Sequence, residues 1–190
     1  MLNRTATGLA KRLMLHGVIT NEVFDIYVYG FELLLSFLFS TTIIVIAGCI
    51  MNKILETIAF LVVFILLRSF SGGYHADTYA KCSVITLSIY GMVVLFSTYI
   101  HVRMISYVAL MMIGLIILFV KAPIENPNKE LTEQEKKKHK ITSLMLFSFF
   151  CLAGICLNVF TSTIGATVWV TLVADLALMF IKTNYERRVS

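Results

Sequence analysis

A thiol and an imidazole, Cys82 and His75, lie seven positions apart in a short polar interval of an otherwise apolar chain. The interval reads Arg68-Ser69-Phe70-Ser71-Gly72-Gly73-Tyr74-His75-Ala76-Asp77-Thr78-Tyr79-Ala80-Lys81-Cys82. Cysteine attacks as the thiolate, and near pH 7 only a few per cent of an unassisted thiol is ionised, so a nucleophilic cysteine needs a base or a cation beside it. His75 has the chemistry of that base, and Arg68 and Lys81 add positive potential. Cys82 also falls where an apolar helical run begins, and the partial positive charge of a helix N-terminus favours a thiolate. The interval reads as the active site of a membrane peptidase.

Gly72-Gly73 gives the backbone the freedom to fold back, which His75 and Cys82 need in order to meet. Bare N–H groups in such a turn can hold an oxyanion. Asp77 and Ser71 each have the chemistry to orient the imidazole, and no spacing demands either, so the third member is open. A lone His and Cys at this separation also arise by coincidence, because local signatures of this kind do not transfer between families. Context separates the readings: of the cysteines at 49, 82, 151 and 156, only Cys82 stands outside the apolar runs. They form no CxxC pair, which argues against a disulfide or zinc framework. Among the other histidines and cysteines, only His16 and His139 are in a loop that matches the interval. No metal and no cofactor are expected.

The elements that must carry this interval follow from composition. Of 190 residues, 58% are hydrophobic and 14% charged, with a mean hydropathy of +0.86. Such a chain has lipid as its solvent, and its two prolines and ten glycines suit long helices. The expected fold is an all-α polytopic membrane protein, one integral membrane domain over residues 1–190. The net charge of +5 is distributed between apolar runs and not over a folded basic face. That argues for anionic lipid headgroups as partners and against nucleic acid.

Residues 1–17 carry Leu2, Ala6, Leu9, Ala10 and Leu13 on one side and Arg4, Lys11 and Arg12 on the other, an interfacial amphipathic helix. No compact apolar core with a small-residue cleavage site follows, so no removable signal peptide is expected. Six spans come next, at residues 31–50, 54–67, 82–100, 104–120, 141–160 and 164–181. The second has 14 residues, about 21 Å at 1.5 Å per residue, which makes it a thin or a re-entrant span. Asp25, Glu32 and Ser36 fall near one helical face, where a carboxylate either holds helices together or helps shape a substrate site. Residues 121–140, with Pro123, Pro127 and the run Lys136-Lys137-Lys138-His139-Lys140, read as a basic solvated loop. Most charge runs of this kind only set topology. Placing both ends on the cytoplasmic side puts fourteen of the sixteen lysines and arginines there, leaving Lys53 and Arg103 outside. The interval 68–82 then lies on the cytoplasmic face.

Arg68, Gly73, His75 and Cys82, with six residues between Arg and His and six more between His and Cys, resemble the pattern of accessory gene regulator protein B, the membrane cysteine endopeptidase of Gram-positive quorum sensing. The likeness extends to the basic amphipathic start, the six-span hydropathy and the loop Lys121-Ala122-Pro123-Ile124-Glu125-Asn126-Pro127-Asn128-Lys129 with its lysine-rich continuation. It covers essentially the whole chain.

The resemblance implies a short precursor peptide as substrate, with an amphipathic leader, a central Cys or Ser and an acidic C-terminal tail. Cys82 would attack at the junction with the tail and His75 would move the proton. The peptide's own Cys or Ser would then displace Cys82 and close a thiolactone or lactone. Arg68 and Gly73, the other matched positions, would support the centre; by their own chemistry Gly72 and Asp77 would support it too, Lys136, Lys137 and Lys138 would attract the acidic tail, and Glu32 would help shape the substrate site if it does not hold helices together. The resemblance also implies a homodimer. A reading from another class, a small peptide exporter or carrier, would have Asp25, Glu32 and Asp175 line a pathway and the interval act as a plain loop.

Overall fold

The computed structural model describes residues 2–72, 79–99, 101–124 and 132–180, and the described residues contain helices and no strands. In chain order they are α1 (Leu2–Leu15), α2 (Phe24–Ile50), α3 (Ile54–Ser71), α4 (Tyr79–Tyr99), α5 (Met104–Lys121), α6 (Glu133–Phe160) and α7 (Ser162–Leu178), with a single 3-10 turn at Asn21–Val23 ahead of α2. Lipid cannot satisfy backbone N–H and C=O groups, so a chain this apolar closes its hydrogen bonds within helices. Five helices are long and apolar enough to cross a membrane, and α7 is a shorter apolar helix. The protein is an all-α polytopic membrane protein.

α1 lays Ala6 and Ala10, both fully buried, against α2, while Arg4, Lys11 and Arg12 stay exposed. It stops at Gly17, whose φ of +68° lets Val18 N–H reach Leu13 O and Gly17 N–H reach Met14 O, both at 3.0 Å. This is the paired capping that closes a helix with a left-handed residue. The same device ends α2: Asn52, at φ +53°, lets Lys53 N–H bond Gly48 O at 2.9 Å. The chain then reverses within three residues and α3 returns along α2. Gly48 meets the Thr57 side chain so closely that a Cβ would not fit, and Thr57 Oγ1 shares a 2.8 Å hydrogen bond with Tyr90 of α4.

All six spans differ from their sequence limits, α5 by one residue and α4 by starting at Tyr79, three residues before the expected 82. α2 has 27 residues, about 40 Å, longer than the hydrocarbon of a bilayer is thick. α1 packs on it, with Asn3 bonded to Glu32 in its first half. α3 runs through Arg68 to Ser71, so the polar interval begins inside a helix. Its 18 residues make about 27 Å, which suits a continuous span and not a re-entrant one. Lys136 to Lys140 belong to α6 and not to a loop. Thr132 and Glu135 form a capping box there, with Thr132 N–H to Glu135 Oε2 at 2.9 Å and Glu135 N–H to Thr132 Oγ1 at 3.4 Å. That box starts the helix eight residues before the apolar run at 141. The sixth span, expected over 164–181, is α7 at Ser162–Leu178.

α7 is the centre of the bundle, in contact with α3, α4, α5 and α6. Between lipid-bathed helices the drive to associate is close packing and not exclusion of water. Small residues allow it: Gly114 admits the Phe147 ring, Gly154 admits Tyr107, and Gly165 lies against Asn158. Leu67, Leu118, Phe147, Cys151, Val168 and Leu172 fill the larger core, and Ile44, Phe60, Phe64, Tyr90, Val93 and Leu178 the smaller one. The buried hydroxyls of α7 are satisfied within the helix, Thr171 donating to Thr167 O at 2.7 Å and Thr167 to Thr163 O at 2.9 Å.

Candidate active site

One end of the bundle gathers the C-termini of α3, α5 and α7 with the N-termini of α4 and α6. The joints are specific. Ile124, just beyond α5, donates its N–H to Ser71 O at 3.0 Å. The Phe70 ring lies 5.4 Å from His139, and Lys121 stands 3.7 Å over the ring of Phe180. Cys82 occupies the first turn of α4 and is exposed. With Phe64, Arg68, Ile85, Thr86, Ile89 and Leu178 it lines a cleft of about 20 Å³, room for roughly one water molecule.

Arg68 is the charged wall of that cleft. Its Nη1 is buried, and its guanidinium lies 5.9 Å over the Phe64 ring. A guanidinium keeps its charge and offers donors in a rigid plane, which suits it to an anion appearing at Cys82. Gly72 closes α3 with φ +73° and ψ −147°, and the backbone of Ile124 occupies the space a Cβ would need. Both facts require glycine. His75, Gly73 and Asp77 lie outside the described residues.

Lys136, Lys137 and Lys138 project from the first turns of α6, at the same end as Cys82. Lys136 Nζ meets Glu133 Oε1 at 2.9 Å, and Lys137 and Lys138 are exposed, flanking an open surface hollow with Gln134, Ile141 and Thr142. Lys140 instead lies 4.2 Å over the Phe119 ring. Glu32 accepts a 2.6 Å hydrogen bond from Asn3 Nδ2, so it ties α1 to α2. Among the described residues no group of three His, Cys, Asp or Glu side chains is placed to hold a metal ion. The residue underused by sequence reasoning is Asp175, which is 3% exposed and one turn before Leu178 of the cleft. Its signal was a lone carboxylate in an apolar run.

The family profile described as accessory gene regulator B matches residues 3–181. The chain belongs to this family. It is 30% identical over 181 residues to the AgrB-like protein 1 of Clostridium perfringens strain 13, covering 94% of this chain and 93% of that one. An AgrB-like protein of C. perfringens strain SM101 is 27% identical over 177 residues, 87% of this chain and 83% of its own. The accessory gene regulator protein B of Staphylococcus saprophyticus is 23% identical over 129 residues, 68% of each chain. No solved structure matches. Accessory gene regulator B proteins act in quorum sensing, and the bundle described above is the membrane scaffold on which this member carries its polar interval.

Proposed function

We propose that this protein is a membrane-embedded cysteine endopeptidase that removes the acidic C-terminal tail of a short quorum-sensing precursor peptide and promotes its cyclisation. The observation that carries the reading is the position of Cys82, exposed in the first turn of α4 beside the Arg68 guanidinium. Of the other three cysteines, Cys151 is buried, and Cys49 and Cys156 are exposed on α2 and α6 but do not line the cleft that holds Arg68. The catalytic side faces the cytoplasm, since the end holding Cys82 also holds Arg68, Lys81, Lys121, Lys136, Lys137, Lys138 and Lys140, whereas Lys53 and Arg103 flank the turns at the other end. Both chain ends share that side, and two copies act together.

His75 accepts the Cys82 proton as Sγ attacks the carbonyl carbon at the tail junction, and Arg68 stabilises the developing negative charge. The C–N bond breaks, His75 returns the proton to the leaving amine, and the tail departs, leaving a thioester on Cys82. The peptide's own thiol or hydroxyl then attacks that thioester, its proton restoring the Cys82 thiol, and the ring closes. Hydrolysis competes with this step, so the acyl-enzyme must be kept from water; the narrow apolar cleft of Phe64, Ile85, Ile89 and Leu178 suits that need. Lys137 and Lys138 attract the acidic tail, and the amphipathic leader shares the membrane interface with α1, which raises the local concentration of substrate.

An exporter reading would need its carboxylates on one path. Asp25 is exposed, Glu32 is bonded to Asn3, and Asp175 is buried within α7, which favours the peptidase. The test co-expresses the full chain with a peptide built from an amphipathic leader, a central cysteine and an acidic tail. Cys82→Ala and His75→Ala should each abolish tail release at unchanged protein level. Tail release by Cys82→Ala at the parental rate would refute the peptidase.

A further inference from the structure

The basic run of α6 divides between two sides of the helix. Lys136 and Lys140 are half-buried, in line with the buried Ser143, Phe147 and Cys151; Lys136 meets Glu133 and Lys140 lies over the Phe119 ring of α5. Lys137 and Lys138 are exposed on the side away from the bundle core, in line with the exposed Ile141, Met145, Phe149 and Leu152. Setting topology needs cations at this end of the helix but not their gathering on its lipid-facing side. The stretch 141–160 of α6 is about 30 Å long, the thickness of the hydrocarbon layer. Ile141 therefore stands at the edge of the hydrocarbon, and the two exposed lysines, one turn earlier, at the depth of the headgroups.

Lys137, Lys138, Gln134, Ile141 and Thr142 line an open hollow of about 350 Å³. It offers two ammonium groups, an amide and a hydroxyl as donors, above an apolar step that continues into the lipid-facing stripe. We propose that this hollow binds the phosphodiester headgroup of an anionic glycerophospholipid from the leaflet at the Cys82 end, with acyl chains along Met145, Phe149 and Leu152. A phosphodiester is ionised at neutral pH, and each lysine near it strengthens binding about fivefold. A zwitterionic headgroup carries its own cation, which the two lysines repel. A free phosphate ester has the charge but no chain to lay on Ile141 and Met145. The inference rests on α6 alone and not on the peptidase reading; under that reading the headgroup and the acidic tail of the precursor compete for the same two lysines.

The experiment titrates the purified full chain in a neutral detergent with phosphatidylglycerol, with phosphatidylcholine of the same acyl chains and with glycerol phosphate, and follows bound molecules by native mass spectrometry. Phosphatidylglycerol should bind at least tenfold more tightly than the other two. Lys137→Gln with Lys138→Gln should weaken it tenfold to thirtyfold at a parental thermal midpoint, and Lys137→Arg with Lys138→Arg should stay within threefold of the parent. Lys136→Gln with Lys140→Gln removes the same charge from the other side of α6 and should change the affinity less than threefold. Equal losses in the two Gln pairs would overturn the proposal, because net charge and not the hollow would then decide. Equal binding of phosphatidylcholine would also overturn it, as a contact of acyl chains only, and equal binding of glycerol phosphate would do so as a site for soluble anions. No peptide enters the measurement, so its failure leaves the peptidase reading standing.

Discussion

Gly72→Ala tests the joint that places Arg68. At φ +73° and ψ −147° a residue with a Cβ is in backbone space held almost solely by glycine, at a cost on the order of 1–3 kcal/mol. The added methyl would also overlap the backbone of Ile124. Backbone cannot rotate away as a side-chain tip can, so the Ser71 O to Ile124 N–H bond at 3.0 Å must lengthen or break, which adds about 1 kcal/mol. Together these give roughly 2–4 kcal/mol, or about 5–15 °C in the unfolding midpoint of a chain this size. Gly17→Ala is the control: its φ is +68°, yet nothing lies within 4 Å of the Cβ position, so it bears backbone strain alone, about 1–2 kcal/mol. The assay compares the thermal midpoints of both variants and the parent in one detergent. Gly72→Ala should fall further than Gly17→Ala, and its Cys82 alkylation should slow because the end of α3 moves. Equal midpoints for the two variants would refute the contact with Ile124 and the reasoning built on it.

Thr132→Ala removes the capping box of α6 and should cost about 1 kcal/mol locally, seen as faster amide hydrogen exchange at residues 133–136 with the apolar part of α6 unchanged. Changing Lys136, Lys137 and Lys138 together to Gln should weaken binding of an acid-tailed peptide at low salt and flatten the dependence of its apparent KM on ionic strength. The same exchange should leave the alkylation rate of Cys82 as it is, since none of the three lines the cleft.

Hydrophobic runs of span length, a composition without strand alternation and the segregation of lysine and arginine were all readable in order along the chain, because lipid imposes those constraints locally on each segment. The capping box at Thr132 and Glu135 was equally local and would have moved Lys136 to Lys140 from loop to helix. The candidate nucleophile was legible for a related reason: of the four cysteines, only Cys82 adjoins the long polar interval 68–82. The resemblance to the accessory gene regulator B pattern joined Arg68 to Cys82.

Tertiary structure alone decided where Asp175 and Glu32 sit and what surrounds them. Both are isolated carboxylates near or within apolar helices, indistinguishable by pattern, yet one bonds Asn3 of α1 and the other lies buried at the Arg68 end of α7. It also decided that α7, the shortest of the apolar helices, stands in the middle, since small residues on several helices must match for it to be enclosed. The reason is the same in each case. A helix dictates its own hydrogen bonds and its apolar length, whereas the partner of a side chain more than a hundred positions away is set by which helices pack together.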